Sequence, residues 1–568
     1  MAGLLLLLGL AMADEFSHTY EEGETVKIWF NKAVSWYAPG KRFSFNYFSL
    51  CCGNSSLAED THPLSLGEIF EGYKMRDSHM DVHFLKETPK RSLCSMQLSE
   101  KYLERLKDAI DWSFYLQLFV DDLPAWGPMG ERAKKGDDKW EIYTHFHLAI
   151  HYNYSHIIQV LYKAEHLVTL ESPGQLLNFS YSVTWMPSST PFKNRLSLYD
   201  DLGSFLIIAH LAGLMLTFLL VGLCVFGVRS IMGRLIFNEI IDYDQPEVPG
   251  VLENDLAAFK QMTGEVFRAP CCPLLFTACV GAGMQLVAVA VSMLLLFTFY
   301  PVFIERNYRL STLVELYCLF ALLGGFRSGS LYAQQHGRYW VSAMLLSLLL
   351  VPLVVSTMML RLQDYSPALP LLGMEEGRTF LMMAIPLYVG GTILGRKCFA
   401  NPKYPCKTST MQPPTRHRNR WLFHPVLAIL IAGLLPCISM QMSFFQLLRN
   451  SIEYRLFCYY GFGVVAFLIL LIIIGSVAIL VAYYMLILED HRWPWVTFLG
   501  SGGTAGYLYL CVAGFYSVRS DMSEPLSWNL YSGYMMLAGF CLFLTFGSVG
   551  YLAAHLFLRH IYTHLKRI

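Results

Sequence analysis

From Gly203 onward the chain is dominated by apolar runs long enough to cross a bilayer, and these limit its possible folds more than any other feature. A hydrocarbon core about 30 Å thick takes roughly 20 apolar residues in a helix, and lipid leaves the backbone no partner outside a helix or closed barrel. The runs cover 203–228, 272–303, 310–333, 339–362, 379–395, 421–445, 458–488, 495–518 and 530–558. They predict a membrane α-helical bundle of nine transmembrane helices over 200–568. The fifth run is the shortest and contains Pro386, while the second and seventh are long enough to tilt or to project from the bilayer. Composition agrees: 54% of the 568 residues are hydrophobic and 15% charged, so the bilayer has to supply part of the solvent. Lys and Arg together number 43, matching 43 Asp and Glu, which leaves no global basic field for nucleic acid.

The segment before the runs differs in character. Residues 1–13, MAGLLLLLGLAMA, are apolar but too short to span, and predict a signal peptide cleaved before Asp14. Residues 14–199 are mixed and polar, and predict a mostly-β luminal domain with small helical pieces. Over 143–152, Thr144, Phe146, Leu148, Ile150 and Tyr152 share one face of a predicted strand. His145, His147 and His151 fall on the opposite face, where a solvated strand needs polar residues; that reading is preferred to a metal site. Ser99 is a candidate cap for a helix carrying Leu103, Leu106 and Ile110 at helical spacing. Asn54, Asn153 and Asn178 each open a glycosylation sequon, usable only on the luminal side. Of 14 cysteines, only Cys51, Cys52 and Cys94 precede the first run, and they predict one disulfide joining Cys94 to Cys51 or Cys52. The other cysteines lie in or beside apolar segments and read as small apolar residues. No spacing suggests zinc, a cofactor or a hydrolase site.

Loop charges test the orientation. With the N-terminus luminal and nine spans, the C-terminus is cytosolic. The connection after the fifth run then carries Arg396, Lys397, Lys403, Lys407, Arg416, Arg418 and Arg420 on the cytosolic side with no acid among them. The luminal connections carry fewer basic residues. The connection between the first two runs is mixed, its acids outnumbering Arg229, Arg234, Lys260 and Arg268, but acids contribute little to orientation. The basic loops also predict contact with anionic membrane lipids.

Several short strings, in this order around nine spans, resemble the nonaspanins, also called the transmembrane nine superfamily. They are His18-Thr19-Tyr20 before Gly23-Glu24, Asn31-Lys32, Asp122-Leu123-Pro124-Ala125-Trp126-Gly127 and Tyr143-Thr144-His145, followed by Gly264-Glu265-Val266-Phe267-Arg268, Glu489-Asp490-His491-Arg492-Trp493 with Trp495, and Ser501-Gly502-Gly503. The resemblance covers nearly the whole chain. It implies residence in Golgi and endosomal membranes and roles in sorting other membrane proteins, including some with glycine-containing spans, with vesicle-coat components as partners at the C-terminus. The chain departs from the family's terminal Lys-x-acid signal: Lys566 matches, but the end is Ile568. The seventh run has Gly475-Ser476-Val477-Ala478 where the family leads one to expect a Ser-Glu pair.

Ionisable groups are sparse in the runs: His210, Glu315, Arg327 and His555, with Gln285 neutral. They do not make a proton relay. Pro352, Pro386 and Pro436 are read as kinks rather than as helix breaks around a substrate. Glu489-Asp490-His491-Arg492-Trp493 is read as an interfacial anchor, Trp493 lying among headgroups. Glycines permit close helix approach, and Gly502, Gly503 and Gly506 are the candidate surface for client helices. The predicted function is a non-enzymatic sorting receptor for membrane proteins. A solute transporter is the alternative, favoured by a polar cavity around Gln285, Glu315 or Arg327.

Overall fold

The computed structural model describes residues 18–35, 76–192, 264–299, 306–363, 380–399, 425–452, 459–519 and 525–565, less 121–122 and 134–138, with isolated positions between these stretches. The predicted leader, Cys51, Cys52, Asn54, His210, most of the 203–228 run, the basic residues from Lys403 to Arg420, and Lys566 lie outside the described residues. The chain divides into two compact units, Ala11–Ser204 with Gly514–Tyr531 and the remainder.

The first unit contains ten described strands: β1 (Ile28–Ser35), β2 (Arg42–Ser44), β3 (Arg76–Asp77), β4 (Thr88–Gln97), β5 (Phe114–Val120), β6 (Leu123–Pro128), β7 (Gly130–Arg132), β8 (Trp140–Asn153), β9 (His156–Thr169) and β10 (Leu176–Pro187). Helix α1 (Glu100–Asp111) lies between β4 and β5. One sheet has the order β2-β1-β5-β6, with β3 also on β1; the other has the order β4-β10-β8-β7, with β9 also on β8. Among the described strands only β8 and β10 pair in parallel. Alternation explains why these segments are strands: in β10, Leu177, Phe179, Tyr181 and Val183 are buried while Asn178 between them is exposed. Phe146, Leu148 and Ile150 of β8 enter the same core as Phe30 and Leu118 of the other sheet, as the predicted strand face requires. Phe30 meets Phe146 edge to face at 6.2 Å between ring centroids. Gly127 is needed because an added Cβ would fall 1.7 Å from the Tyr162 ring. In α1, Leu103, Leu106 and Ile110 are buried as predicted, and Ser99 occupies the N-cap position without capping through its hydroxyl.

On the histidine face of β8, His147 and His151 are half-buried, but His145 is not the solvated residue the sequence suggests. His145 is only 4% exposed, because β10 runs alongside and presents serines in register. Its Nδ1 and Nε2 each lie 2.8 Å from a hydroxyl, Ser180 Oγ and Ser182 Oγ, and His147 Nδ1 is 2.9 Å from Ser182 Oγ. Burial, reinforced by Lys90 and His166, holds the His145 imidazole below its ordinary 6.5.

From residue 273 onward the described elements are helical: α2 (Pro273–Phe299), α3 (Arg306–Leu319), α4 (Ala321–Gln334), α5 (Trp340–Gln363), a π turn (Phe380–Ala384) leading into α6 (Ile385–Cys398), α7 (Pro425–Ile452), α8 (Tyr459–Ile487), α9 (Trp493–Arg519) and α10 (Pro525–Leu565). Eight of the nine predicted runs are therefore helical among the described residues. Five helices are long and apolar enough on their own to cross a membrane, and 425–439 is a shorter apolar helix. Two runs differ from expectation. The third is interrupted at Phe320, which separates α3 from α4. Near this break the Tyr317 carbonyl accepts a bond from the Gln285 side chain at 2.8 Å, so a polar backbone group at membrane depth has a partner. In the fifth run, Pro386 sits in the first turn of α6, where its missing N–H costs little, and the π turn precedes it. Pro352 and Pro436 lie inside α5 and α7, as kinks would.

Glycine sets the tightest packing. An added Cβ at Gly325 or Gly329 would meet the Tyr388 or Thr392 carbonyl oxygen at 2.2 or 2.5 Å, and at Gly391 or Gly395 the Leu322 or Phe326 oxygen at 2.2 or 2.3 Å. Each helix thus contributes a Gly-x-x-x-Gly pair, and α4 and α6 run parallel backbone to backbone. Helix α2 crosses α4 in the opposite sense, Gly281 near Ser328 and Gln285 near Gly324. Helix α10 is also antiparallel to α2, Gly283 near Leu544 and Phe276 near Tyr551. Hydroxyls fill the remaining gaps: the Tyr388 hydroxyl donates to Ser347 Oγ, which donates to the Ala278 carbonyl at 3.2 Å.

Candidate functional site

This packing brings the start of α2, the C-terminal halves of α4, α6 and α10 and the start of α9 to one end of the bundle. Two strings singled out in the sequence meet there. Trp493 Nε1 donates to the Val266 carbonyl at 2.8 Å, and Trp495 Nε1 donates to the Cys271 carbonyl at 2.6 Å. Two indoles at the head of α9 therefore hold the segment that leads into α2. Trp493 is 2% exposed, so it is a buried clamp, and the headgroup anchor expected from its position is corrected. Its ring stacks on Tyr551 at 5.8 Å, and Tyr551 stacks on His555 at 5.7 Å. Phe267 closes the cluster edge-on to His555 and Tyr562, at 6.2 and 6.0 Å. Arg327 and Arg559 act electrostatically on His555.

The flanking backbone is built to deliver these rings. Glu489 takes φ +58°, a left-handed conformation, where α8 ends; its N–H bonds the Leu486 carbonyl and that of Asp490 bonds the Met485 carbonyl, both at 3.0 Å. This is a Schellman termination with Glu in the place usually held by Gly. Asp490 Oδ1 then accepts the Arg492 N–H at 2.9 Å, turning the chain into α9. On the clamped side, Arg268 Nη2 donates to Glu265 Oε1 at 3.0 Å, with Nε 2.6 Å from Oε2. Nothing in this arrangement pairs a nucleophile with a base; it joins parts of the chain more than 220 positions apart.

A model of the family described as endomembrane protein 70 matches residues 43–525. The chain belongs to this family, the transmembrane 9 superfamily. It is 28% identical to transmembrane 9 superfamily member 4 of Arabidopsis thaliana, over 99% of this chain and 97% of the relative. It is 27% identical to member 1 of Mus musculus over the same shares. No solved structure matches. As a transmembrane 9 superfamily member the protein is a multi-pass membrane protein.

The other predicted positions fall as follows. Gly502 does not offer a surface to a second protein: an added Cβ would lie 2.8 Å from the Phe543 ring, so α10 already occupies it. Gly503 is half-buried beside Gly433 of α7, and Gly506 is exposed with no atom within 4 Å of an added Cβ. Gln285 is buried, Glu315 exposed and Arg327 half-buried; the Gln285 side chain is engaged by the Tyr317 carbonyl of α3 and packs on Gly324 of α4. Asn178 is exposed, and Asn153 is half-buried with its Nδ2 donating to the Thr190 carbonyl at 2.8 Å. Cys94 is disulfide-bonded. Sequence reasoning missed Gly329, Gly395 and the Trp493–Val266 contact; the repeated four-residue glycine spacing was available as a signal for the first two.

Proposed function

We propose that this transmembrane 9 superfamily member is a non-enzymatic sorting receptor for other membrane proteins of the Golgi and endosomal system. The β domain is luminal and the C-terminus cytosolic. The observation that carries the reading is Gly506: an exposed glycine on a membrane helix, with open space where its Cβ would be, lets a second helix approach closely. The other tight glycine contacts named above are already taken up inside the bundle. The family's description as an endomembrane protein agrees with the proposed location. Retrieval by a vesicle coat would use Lys566.

The test is crosslinking and co-purification from native membranes, comparing wild type with Gly506→Leu after checking that the variant folds and traffics. Discrete membrane proteins captured by wild type and lost by the folded variant support the proposal. Equal capture by both removes Gly506 from it, and a wild type that captures none refutes the receptor reading and leads to flux assays in proteoliposomes. Gly502→Leu is unsuitable, since the collision with Phe543 would damage the bundle itself.

A further inference from the structure

Among the described free cysteines, Cys279, Cys318, Cys437 and Cys541 are buried and Cys511 is half-buried; only Cys271, Cys272 and Cys398 are exposed. This departs from the sequence expectation that every cysteine after the β domain acts as a small apolar residue. The exposed thiols are not scattered. Cys271 and Cys272 immediately precede α2, and Cys398 is the last residue of α6. Because α2 runs antiparallel to α4, and α4 parallel to α6, the start of α2 and the finish of α6 lie at the same end of the bundle. The Arg396 guanidinium lies 4.3 Å over the ring of Trp340, the first residue of α5, and fixes the finish of α6 there. The Trp495 indole holds the Cys271 carbonyl, so the vicinal pair is kept at the rim of the bundle.

The surroundings of both positions are alike. Just inward of the thiols the helices carry exposed apolar side chains, Leu275 (43%) on α2 and Leu394 (51%) on α6, as a lipid-facing surface does. Basic residues stand beside both positions: Arg268, paired with Glu265, precedes the vicinal pair, and Arg396 and Lys397 occupy the last turn of α6 that Cys398 ends. An exposed thiol at the end of an apolar helix face, beside basic residues, lies where a fatty chain attached to it would enter the leaflet while the sulfur remains within reach of an enzyme. Cys271 Sγ and Cys272 Sγ are 3.8 Å apart, so the two are separate thiols.

We propose that Cys271, Cys272 and Cys398 are S-acylation sites, taking long-chain fatty acyl groups from acyl-coenzyme A at the cytosolic face. The cysteine sulfur attacks the thioester carbonyl; its bond to the acyl carbon forms as the bond to the coenzyme A sulfur breaks, and the thiol proton leaves with coenzyme A. No electrons are exchanged. Deprotonation of the attacking thiol falls to an acyltransferase. The acyl chains would tether the segment clamped by Trp493 and Trp495 to the leaflet beside it. The inference rests on the orientation proposed above, and its test separates the two.

In the full-length protein from cells, free thiols are blocked, thioesters are cleaved with neutral hydroxylamine, and the released thiols are coupled to a maleimide mass tag. The expected result is hydroxylamine-dependent mass steps that are reduced in Cys398→Ser, reduced further in the Cys271→Ser, Cys272→Ser pair, and abolished in the triple variant. Absence of any hydroxylamine-dependent step in wild type overturns the proposal, as does protection removed only by a reductant, which would mark a disulfide. An impermeant maleimide, added after the plasma membrane alone is opened, reports the orientation. Thiols labelled from the cytosol yet never hydroxylamine-sensitive overturn the acylation alone. Thiols reached only when internal membranes are opened overturn the acylation and the orientation together.

Discussion

Replacing Trp493 by Phe isolates the bond that closes the clamp. The ring can still stack on Tyr551, but the Val266 carbonyl loses the indole N–H that reaches it at 2.8 Å. Trp493 is 2% exposed and Val266 1%, so water does not readily replace the donor. Leaving one buried acceptor without its partner costs about 1–3 kcal/mol. If that loss falls on local opening of the segment before α2, amide exchange there accelerates about 5- to 150-fold, at roughly 1.4 kcal/mol per factor of ten. The Arg268 amide is the probe, since it is bonded to the Glu265 carbonyl at 3.1 Å and lies within the clamped segment. Hydrogen exchange with mass-spectrometric readout on the purified full chain, wild type against Trp493→Phe, makes the measurement. Trp495→Phe is the internal comparison, with a smaller effect because its indole bond is exposed. Unchanged exchange at Arg268 in the folded Trp493→Phe variant would refute the clamp as the element that holds this segment.

Two further outcomes follow from the packing and the buried histidine. Gly391→Ala places a Cβ 2.2 Å from the Leu322 oxygen and should destabilise the bundle by about 1–3 kcal/mol, whereas neighbouring Gly390→Ala, with nothing within 4 Å, should be neutral or slightly stabilising; thermal unfolding in detergent compares them. His145 is held below its ordinary 6.5, so the unfolded chain binds its proton first as pH falls; the β domain should lose stability from about pH 6.5 downward, and His145→Asn should flatten that slope in denaturant titrations of the full chain.

What could be read in the sequence was whatever leaves a local period. The apolar face of β8 and the buried stripe of α1 repeat every two residues and every three to four, so both were legible. The long apolar runs were legible for the same reason. The break at Phe320 was not, because no Pro or Gly marks it, and the carbonyl partner Gln285 lies 32 positions earlier. Trp493 was misread because a tryptophan at the end of an apolar run ordinarily lies at the interface, and nothing local announces a partner 227 residues upstream. Gly502 and Gly506 look equivalent in sequence; only the position of Phe543 shows that one is spent and the other open. His145 likewise depends on Ser180 and Ser182 arriving from β10, a parallel pairing that a strand pattern does not specify.

The glycine contacts between α4 and α6 also have a mechanical meaning. Side chains can change rotamer and let one helix slide on another, but here carbonyl oxygens rest directly on the partner helix's glycines, so relative sliding would drive backbone into backbone. The two helices can therefore travel only as a single plank. The interruption at Phe320 stands where α4 joins α3, two residues before the Leu322 carbonyl begins the tight contact with Gly391. Any rearrangement that opens this part of the bundle must bend there, with the Gln285 bond to Tyr317 as the pin that has to stretch or exchange partners first.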